Sequence, residues 1–274
     1  MCAPARKRFG QHFLHDRGVI VRIVAALNPE PGQRVVEIGP GRGALTAALL
    51  TALGELDAVE IDRDLVAFLQ QRFGSGLRLH SGDALHFDFA ALASNGPLRL
   101  IGNLPYNIAT PLLFRLLGLT GRVQDMLFML QKEVVARLVA EPGGADYGRL
   151  SVAVALRARC DALFDVGPGA FQPPPQVRSA VVRITPHPTL PAAARLQRID
   201  QIVAKAFGQR RKHLANALKG LLTAAQIEAA GIDSSARAET VPVAGFVRLA
   251  AQLDRTAVRV DPPPSPAGQL PRPP

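Results

Sequence analysis

The residues best suited to chemistry stand in the run IGNLPYNIAT at 101–110, where an apolar strand ends by presenting an amide, a proline and a phenol. Pro105 has no N–H with which to continue a ladder, so the strand stops at Asn103. Two readings of that stop are open. In one, Asn103 hydrogen-bonds its own backbone and Pro105 fixes a strand-to-helix turn. In the other, the Asn103 side-chain oxygen and a backbone carbonyl beside Pro105 accept from the two N–H bonds of an exocyclic ring amine. Such an amine is a poor nucleophile because its lone pair is delocalised into the ring. Two acceptors favour a pyramidal nitrogen with the pair localised, Pro105 stiffens the arrangement, and Tyr106 supplies a face on which the base stacks. No strong general base is needed, because the nitrogen becomes acidic once it is alkylated.

A second group of residues suits a nucleoside. The run EIGPGRGALT places Gly39, Gly41 and Gly43 in a turn between a strand and a helix, and VEID ends the next strand with Glu60, twenty-one residues after Gly39. A carboxylate at that spacing can take both hydroxyls of a ribose. Ala44 completes a G-x-G-x-x-A pattern, so the glycines alone leave a dinucleotide, a methyl donor and a plain packing turn all open. Charge favours the methyl donor. A pyrophosphate wants N–H donors, whereas Pro40 removes one and Glu37 puts a carboxylate just beneath the loop. S-adenosylmethionine has no phosphate, and its ammonium and sulfonium groups suit a nearby acid. Asp83, in LHSGDAL, either accepts from the donor's adenine amine or caps its own turn.

These residues need a scaffold that brings strand ends together. Between 19 and 185 short β-prone runs alternate with helical ones: strands are expected at RVVEI (34), LDAVEI (56), LRLH (77), PLRLIG (97) and QDMLFML (124), with helices around 44–53, 62–72, 109–118 and 131–140. Such alternation implies an α/β doubly wound parallel sheet with right-handed crossovers. Ligands then sit beyond the carboxyl ends of the strands, a crevice that Gly39, Glu60, Asp83 and Asn103 would border. ALFDV at 162 and SAVVRITP at 179 are separated by the Pro-rich turn GPGAFQPPPQ, and are expected as an antiparallel pair at the sheet edge. Phe171 on that turn is either a second stacking face for the base or a core residue.

The expected organisation is a nucleoside-binding domain over 1–186 with a basic arm at 1–17, a small all-helical domain over 187–256, and a Pro-rich tail over 257–274. The last thirteen residues contain seven prolines, which favours an extended or disordered segment. With 48% apolar residues the chain can bury a sizeable core. Its apolar runs fall short of a membrane span and no apolar signal peptide opens it, so a soluble, cytoplasmic protein is expected. Two cysteines and six scattered histidines offer neither a disulfide framework nor zinc-site spacing, so no metal is expected. The formal charge is +10, and residues 187–274 alone carry twelve Lys and Arg against six Asp and Glu. Arg6, Lys7 and Arg8 account for most of the rest, and basic patches at both ends suit a polyanion.

Taken in order, these motifs resemble the ribosomal RNA adenine dimethyltransferases, specifically the branch acting on small-subunit (16S) rRNA. The resemblance runs through KRFGQHFL at 7, EIGPGRGALT at 37, VEID at 59, GDAL at 82, IGNLPYNIATPLL at 101, MLQKEVVARL at 129, YGRLSV at 147, AFQPPPQVRSAVVR at 170 and FGQRRKHLANAL at 207. It implies a Rossmann-like class I methyltransferase fold and two methyl transfers to each of two adjacent adenosines in the 3′-terminal helix-loop, within the immature small subunit, by a monomer. Carried over by position, His12, Leu14, Gly39, Glu60, Asp83 and Asn103 would bind S-adenosylmethionine. Asn103 and the Leu104 carbonyl would hold the target amine, Tyr106 and Phe171 would stack its base, and Arg210, Arg211 and Lys212 would meet RNA phosphates. The plain alternative for that last run is a solvated helix end. Two positions depart from the pattern: His12, often Asn, and Ala215, where an arginine is usual. A large-subunit rRNA methyltransferase, a non-catalytic assembly factor and a DNA adenine methyltransferase are the rival readings.

Overall fold

The structure, a computed structural model, describes residues 11–105 and 107–257. The chain divides into two compact units at Leu190/Pro191. In the first, a two-residue strand β1 (Phe13–Leu14) precedes helix α1 (Arg17–Leu27), after which strands and helices alternate: β2 (Arg34–Ile38), α2 (Ala44–Leu53), β3 (Leu56–Glu60), α3 (Arg63–Phe73), β4 (Leu77–Ser81), α4 (Phe89–Leu92), β5 (Leu98–Asn103), α5 (Ala109–Leu117) and β6 (Val123–Gln131). Helices α6 (Lys132–Leu138) and α7 (Arg149–Ala155) then lead to β7 (Ala158–Val166), β8 (Phe171–Gln172) and β9 (Ser179–Pro186).

Seven strands form one sheet in the order β4-β3-β2-β5-β6-β9-β7. The five strands β2 to β6 pair parallel with their neighbours, while β9 runs antiparallel to both β6 and β7, giving the edge pair that the sequence pattern implies. Helices cover both faces, which is why β6 reads as a continuous apolar run instead of an alternating one. Met126, Phe128 and Leu130 join Leu112, Leu116 and Val182 in one core. Leu127 and Met129 join Ile23, Leu27, Leu49 and Val181 in the other. A buried pair pins β5 to β6: Arg99 donates to both Asp125 oxygens, at 2.7 and 2.8 Å, and also to the carbonyl of Leu27 at the end of α1.

The sheet order reverses beside β2, with β3 and β4 laid to one side and β5 and β6 to the other. That reversal opens a crevice between the carboxyl ends of β2 and β5. Gly102 sits at this point because nothing larger fits: a Cβ there would lie 2.4 Å from the Ile38 carbonyl oxygen. Periodicity does not announce β1 and β8, which are two residues each and pair antiparallel, Phe13 with Gln172 and Leu14 with Phe171.

The second unit is helical: α8 (Ala193–Gly208), α9 (Leu214–Ala217), α10 (Ala224–Ala229) and α11 (Val243–Ala257). Ile199, Ile202, Val203, Leu214, Leu218, Ile227, Phe246 and Leu249 are buried. A capping box at Thr223 and Gln226 starts α10.

Candidate active site

An open cleft lies at the carboxyl ends of β2 to β5, walled by Gly39, Glu60, Asp83, Asn103, Leu104 and Pro105 among others. A second, narrower recess runs under the glycine turn and is walled by Leu14, Glu37, Arg42, Ile101 and Met129 among others. The two share His12, Phe13, Gly39, Gly41 and Asn103. The three turn glycines serve different ends. Gly39 (φ +69°) has open space where a Cβ would stand, so its backbone faces the cleft directly. At Gly41 and Gly43 the same Cβ would strike Phe13 and Phe73, so those two are small for packing.

Asn103 ends β5 at the junction of the two cavities. Its Nδ2 donates to the His12 carbonyl at 3.0 Å. A carbonyl can only accept, so the bond fixes which way the amide points and leaves Oδ1 as its accepting end. Leu104 donates its N–H to the Met129 carbonyl at 3.2 Å, which anchors the residue whose carbonyl adjoins Pro105. His12 is fastened in turn, because its Nδ1 donates to the Pro173 carbonyl at 2.8 Å on the Pro-rich turn.

Glu60 closes β3 at the cleft wall and is 5% exposed, one carboxylate oxygen accepting from the Asp62 N–H at 2.9 Å and the other from the Gly41 N–H at 3.2 Å. Burial raises its pKa, and these donors offset the rise only in part. Asp83 follows β4. Its Oδ1 accepts from the Leu85 N–H at 2.9 Å and its Oδ2 pairs with His86 Nδ1 at 2.8 Å. Burial works against ionisation of Asp83, but the Leu85 N–H and His86 outweigh it and hold the carboxyl below its usual range. Asp83 is thus both a turn cap and part of the cleft wall.

The family model described as ribosomal RNA adenine dimethylase matches residues 3–255. The chain belongs to that family. Curated relatives named ribosomal RNA small subunit methyltransferase A are similar over nearly the whole length. One from Pseudomonas fluorescens Pf-5 is 57% identical, covering 91% of this chain and 94% of its own, and one from Nitrosococcus oceani is 56% identical, covering 89% and 94%. A solved 23S rRNA methyltransferase, ErmE, superposes with a TM-score of 0.70 at 25% identity over 88% of this chain and 99% of its own. A dimethyladenosine transferase from Plasmodium falciparum shares the fold, with a TM-score of 0.77 at 22% identity over 90% of this chain and 98% of its own.

In this member of the dimethylase family the recess beneath the glycine turn holds a buried acid. Glu37 is 2% exposed, and Thr46 Oγ1 donates to its Oε2 at 2.6 Å. Burial pushes its pKa up to about 7; the Thr46 bond lowers it somewhat, and the nearby Glu60 charge adds to the rise. A buried acid of this kind favours a cationic ligand over a phosphate. Leu14 packs against the same recess from β1.

Three residues of the cleft wall have no counterpart in the sequence reading. Gln11 donates Nε2 to Asp62 Oδ2 at 3.2 Å, tying the segment before β1 to the start of α3. Ile61 is 46% exposed and presents an apolar surface beside Glu60, and Ile108 closes the far side. Only Ile61 left a trace in the sequence, as the apolar residue between the acids of EID.

Phe171 is 2% exposed and packs in the core with Leu14, Val166 and Val181. Its strand β8 pairs with β1, the segment that carries Leu14. Tyr106, the basic run Arg6 to Arg8 and the tail from 258 lie outside the described residues. In the helical unit Arg210, Arg211 and Lys212 are exposed beyond the end of α8, and Arg210 Nε pairs with Glu239 at 2.7 Å. Among the described residues there is no cluster of metal-binding side chains and no helix long and apolar enough to cross a membrane.

Proposed function

We propose that the chain transfers methyl groups from S-adenosylmethionine to the exocyclic N6 of two adjacent adenosines in the 3′-terminal helix-loop of small-subunit rRNA, acting on the immature subunit. The observation that carries this is the Asn103 amide, oriented by the His12 carbonyl and set where the two cavities meet. The residues fit the donor. Gly39 leaves its backbone open to a ligand, Glu60 and Asp83 bring carboxylates to the cleft wall, and Glu37 provides a buried carboxyl whose ionised form a cationic ligand would favour and a phosphate would not.

S-adenosylmethionine supplies an electrophilic methyl group on a cationic sulfur. The chain's own residues do the rest. Asn103 Oδ1 and the Leu104 carbonyl accept from the adenine amine and turn its lone pair toward the shared junction. Pro105 removes a competing N–H, and the anchor from Leu104 to Met129 keeps the carbonyl from drifting. Holding the two reactants in line can supply roughly 7–11 kcal/mol, more than any acid or base in this site. The target base leaves its stack to reach the cleft. The methylated nitrogen then gives its proton to water, so no residue here has to act as a strong base.

Arg211 and Lys212, with the basic charge of residues 187–274, are the proposed phosphate contacts. The test is incubation of the protein with isotopically labelled methyl donor and small subunits from cells lacking this modification, followed by mass spectrometry of nuclease fragments. Two dimethylated adjacent adenosines near the 3′ end are expected. Label in large-subunit rRNA or duplex DNA instead would overturn the assignment of substrate. No label in any of them would favour the non-catalytic assembly factor.

A further inference from the structure

We infer that Arg115 is a positioning residue for the adenine end of the methyl donor, a reading that rests on the assignment of Asp83 to that adenine. Asp83, Ala84 and Leu85 line the cleft, and so do Asn103, Leu104, Pro105, Asn107 and Ile108. No strand ladder ties these two segments directly to each other, because β4 and β5 are separated by β3 and β2. Arg115, in the last turn of α5, bridges the gap. Its Nη1 donates to the Leu85 carbonyl and its Nη2 to the Phe87 carbonyl at 2.6 Å. Helix α5 begins at Ala109, directly behind the Asn103 segment, so the guanidinium joins the acceptor-site helix to the donor-site loop.

The loop it grips is a closed unit centred on Asp83. The Asp83 carbonyl accepts from the N–H groups of His86 and Phe87, both at 2.9 Å, and Asp83 Oδ1 accepts from Leu85 N–H. The carboxylate is therefore oriented by Leu85, and the carbonyl of that same residue is held by Arg115. A planar fork that spans two carbonyls fixes both the position and the tilt of the loop, which a flexible ammonium on a single bond cannot do. The positive charge also favours ionised Asp83, the form that accepts from an adenine amine.

The test is calorimetric binding of S-adenosylhomocysteine and of plain adenosine to the wild type, Arg115→Met, Arg115→Lys, Asp83→Ala and the Arg115→Met/Asp83→Ala double variant. Arg115→Met is expected to weaken both ligands by the same factor, about tenfold, because the lost contact lies at the adenine end they share. Arg115→Lys keeps one donor and should lose about threefold; it carries the test if the methionine variant does not fold. On the Asp83→Ala background the Arg115 substitution should cost almost nothing, since its effect passes through Asp83. Wild-type affinity in the Arg115 variants beside a weakened Asp83→Ala overturns the inference and leaves the adenine assignment standing. Wild-type affinity in Asp83→Ala overturns the assignment and the inference with it. A loss of equal size on both backgrounds makes Arg115 a support of the fold only, and the inference falls.

Discussion

The side-chain amide of Asn103 donates to the backbone carbonyl of His12 across 91 residues of sequence, at 3.0 Å. This bond decides the chemistry available at the end of β5, because it fixes which end of the amide is Oδ1, the end that can accept from a substrate. Asn103→Ala removes an acceptor that matters only as the nitrogen becomes nucleophilic. Single-turnover methylation should fall by about 10²–10³, the loss seen when one preorganised transition-state partner is deleted. Donor affinity should change little by comparison. Asn103→Asp is a sharper case: an oxygen would then face the His12 carbonyl, the side chain must rotate away, and turnover should fall at least as far. An Asn103→Ala enzyme within tenfold of wild-type rate would sink the mechanism.

Glu37 makes a prediction about pH. Its folded-state pKa of about 7 stands above the ordinary value of 4.5, so between those values the folded state holds a proton that the unfolded chain has released. Its contribution to stability is therefore complete below about 4.5 and is lost as pH rises through about 7. At 1.36 kcal/mol per pKa unit the loss is about 3 kcal/mol. Urea unfolding of the ligand-free protein from pH 4 to 8 should show this decline relative to Glu37→Gln, which has no proton to release. A cation bound beside Glu37 draws the pKa down, so donor binding should release protons near pH 7, measurable by calorimetry in buffers of different ionisation enthalpy. Equal pH profiles for wild type and Glu37→Gln would remove Glu37 from this role.

The parts legible in the sequence are those fixed by local pattern. Strand runs such as RVVEI and LDAVE, with helices between them, imply parallel strands, and parallel strands bring Gly39, Glu60, Asp83 and Asn103 to one edge without further information. What the pattern could not give depends on partners distant in the chain. Strand β1 is two residues long and exists because Phe13 and Leu14 meet Gln172 and Phe171, so neither His12's hold on Asn103 nor the burial of Phe171 has a local signature. The same is true of Arg210, whose partner Glu239 is 29 residues away on another element. Arg115 looks like an ordinary polar position on an amphipathic helix until the loop it grips is in view.

Gly102 offers a test of the crevice itself. A methyl group there would meet the Ile38 carbonyl oxygen at 2.4 Å, a backbone atom that no rotamer can move aside. Gly102→Ala should therefore separate the ends of β2 and β5 and cost about 1–3 kcal/mol as an overpacked site. Asn103 is the next residue, so its bond to His12 would be strained along with the strand. The expected signature is a modest loss in denaturant midpoint together with a disproportionate loss of methylation rate. Gly39→Ala should leave packing undisturbed, since nothing lies within 4 Å of its Cβ position, yet it places a methyl group in the donor's space and strains a backbone at φ +69°. Donor affinity in that variant should fall further than stability does. A Gly102→Ala protein with wild-type midpoint and rate would show that the two strand ends need not approach so closely.

The basic run after α8 can be resolved residue by residue through salt dependence. A cation that neutralises one phosphate releases counterions, and removing it reduces the log–log salt slope of binding by about 0.7–0.9. Arg211→Ala and Lys212→Ala should each do so, because both side chains are exposed. Arg210→Ala should change the slope less, because its guanidinium already meets Glu239 at 2.7 Å and is partly neutralised before RNA arrives. Glu239→Gln removes the carboxylate charge beside Arg210 and should steepen the slope, an outcome that a purely structural role for the pair does not produce. The measurement is equilibrium binding of a small-subunit rRNA fragment across about 50–200 mM salt, with methyl-donor affinity monitored in parallel as a control for folding. Unchanged slopes for both Arg211→Ala and Lys212→Ala would take this run out of the RNA surface and leave it as a solvated helix end.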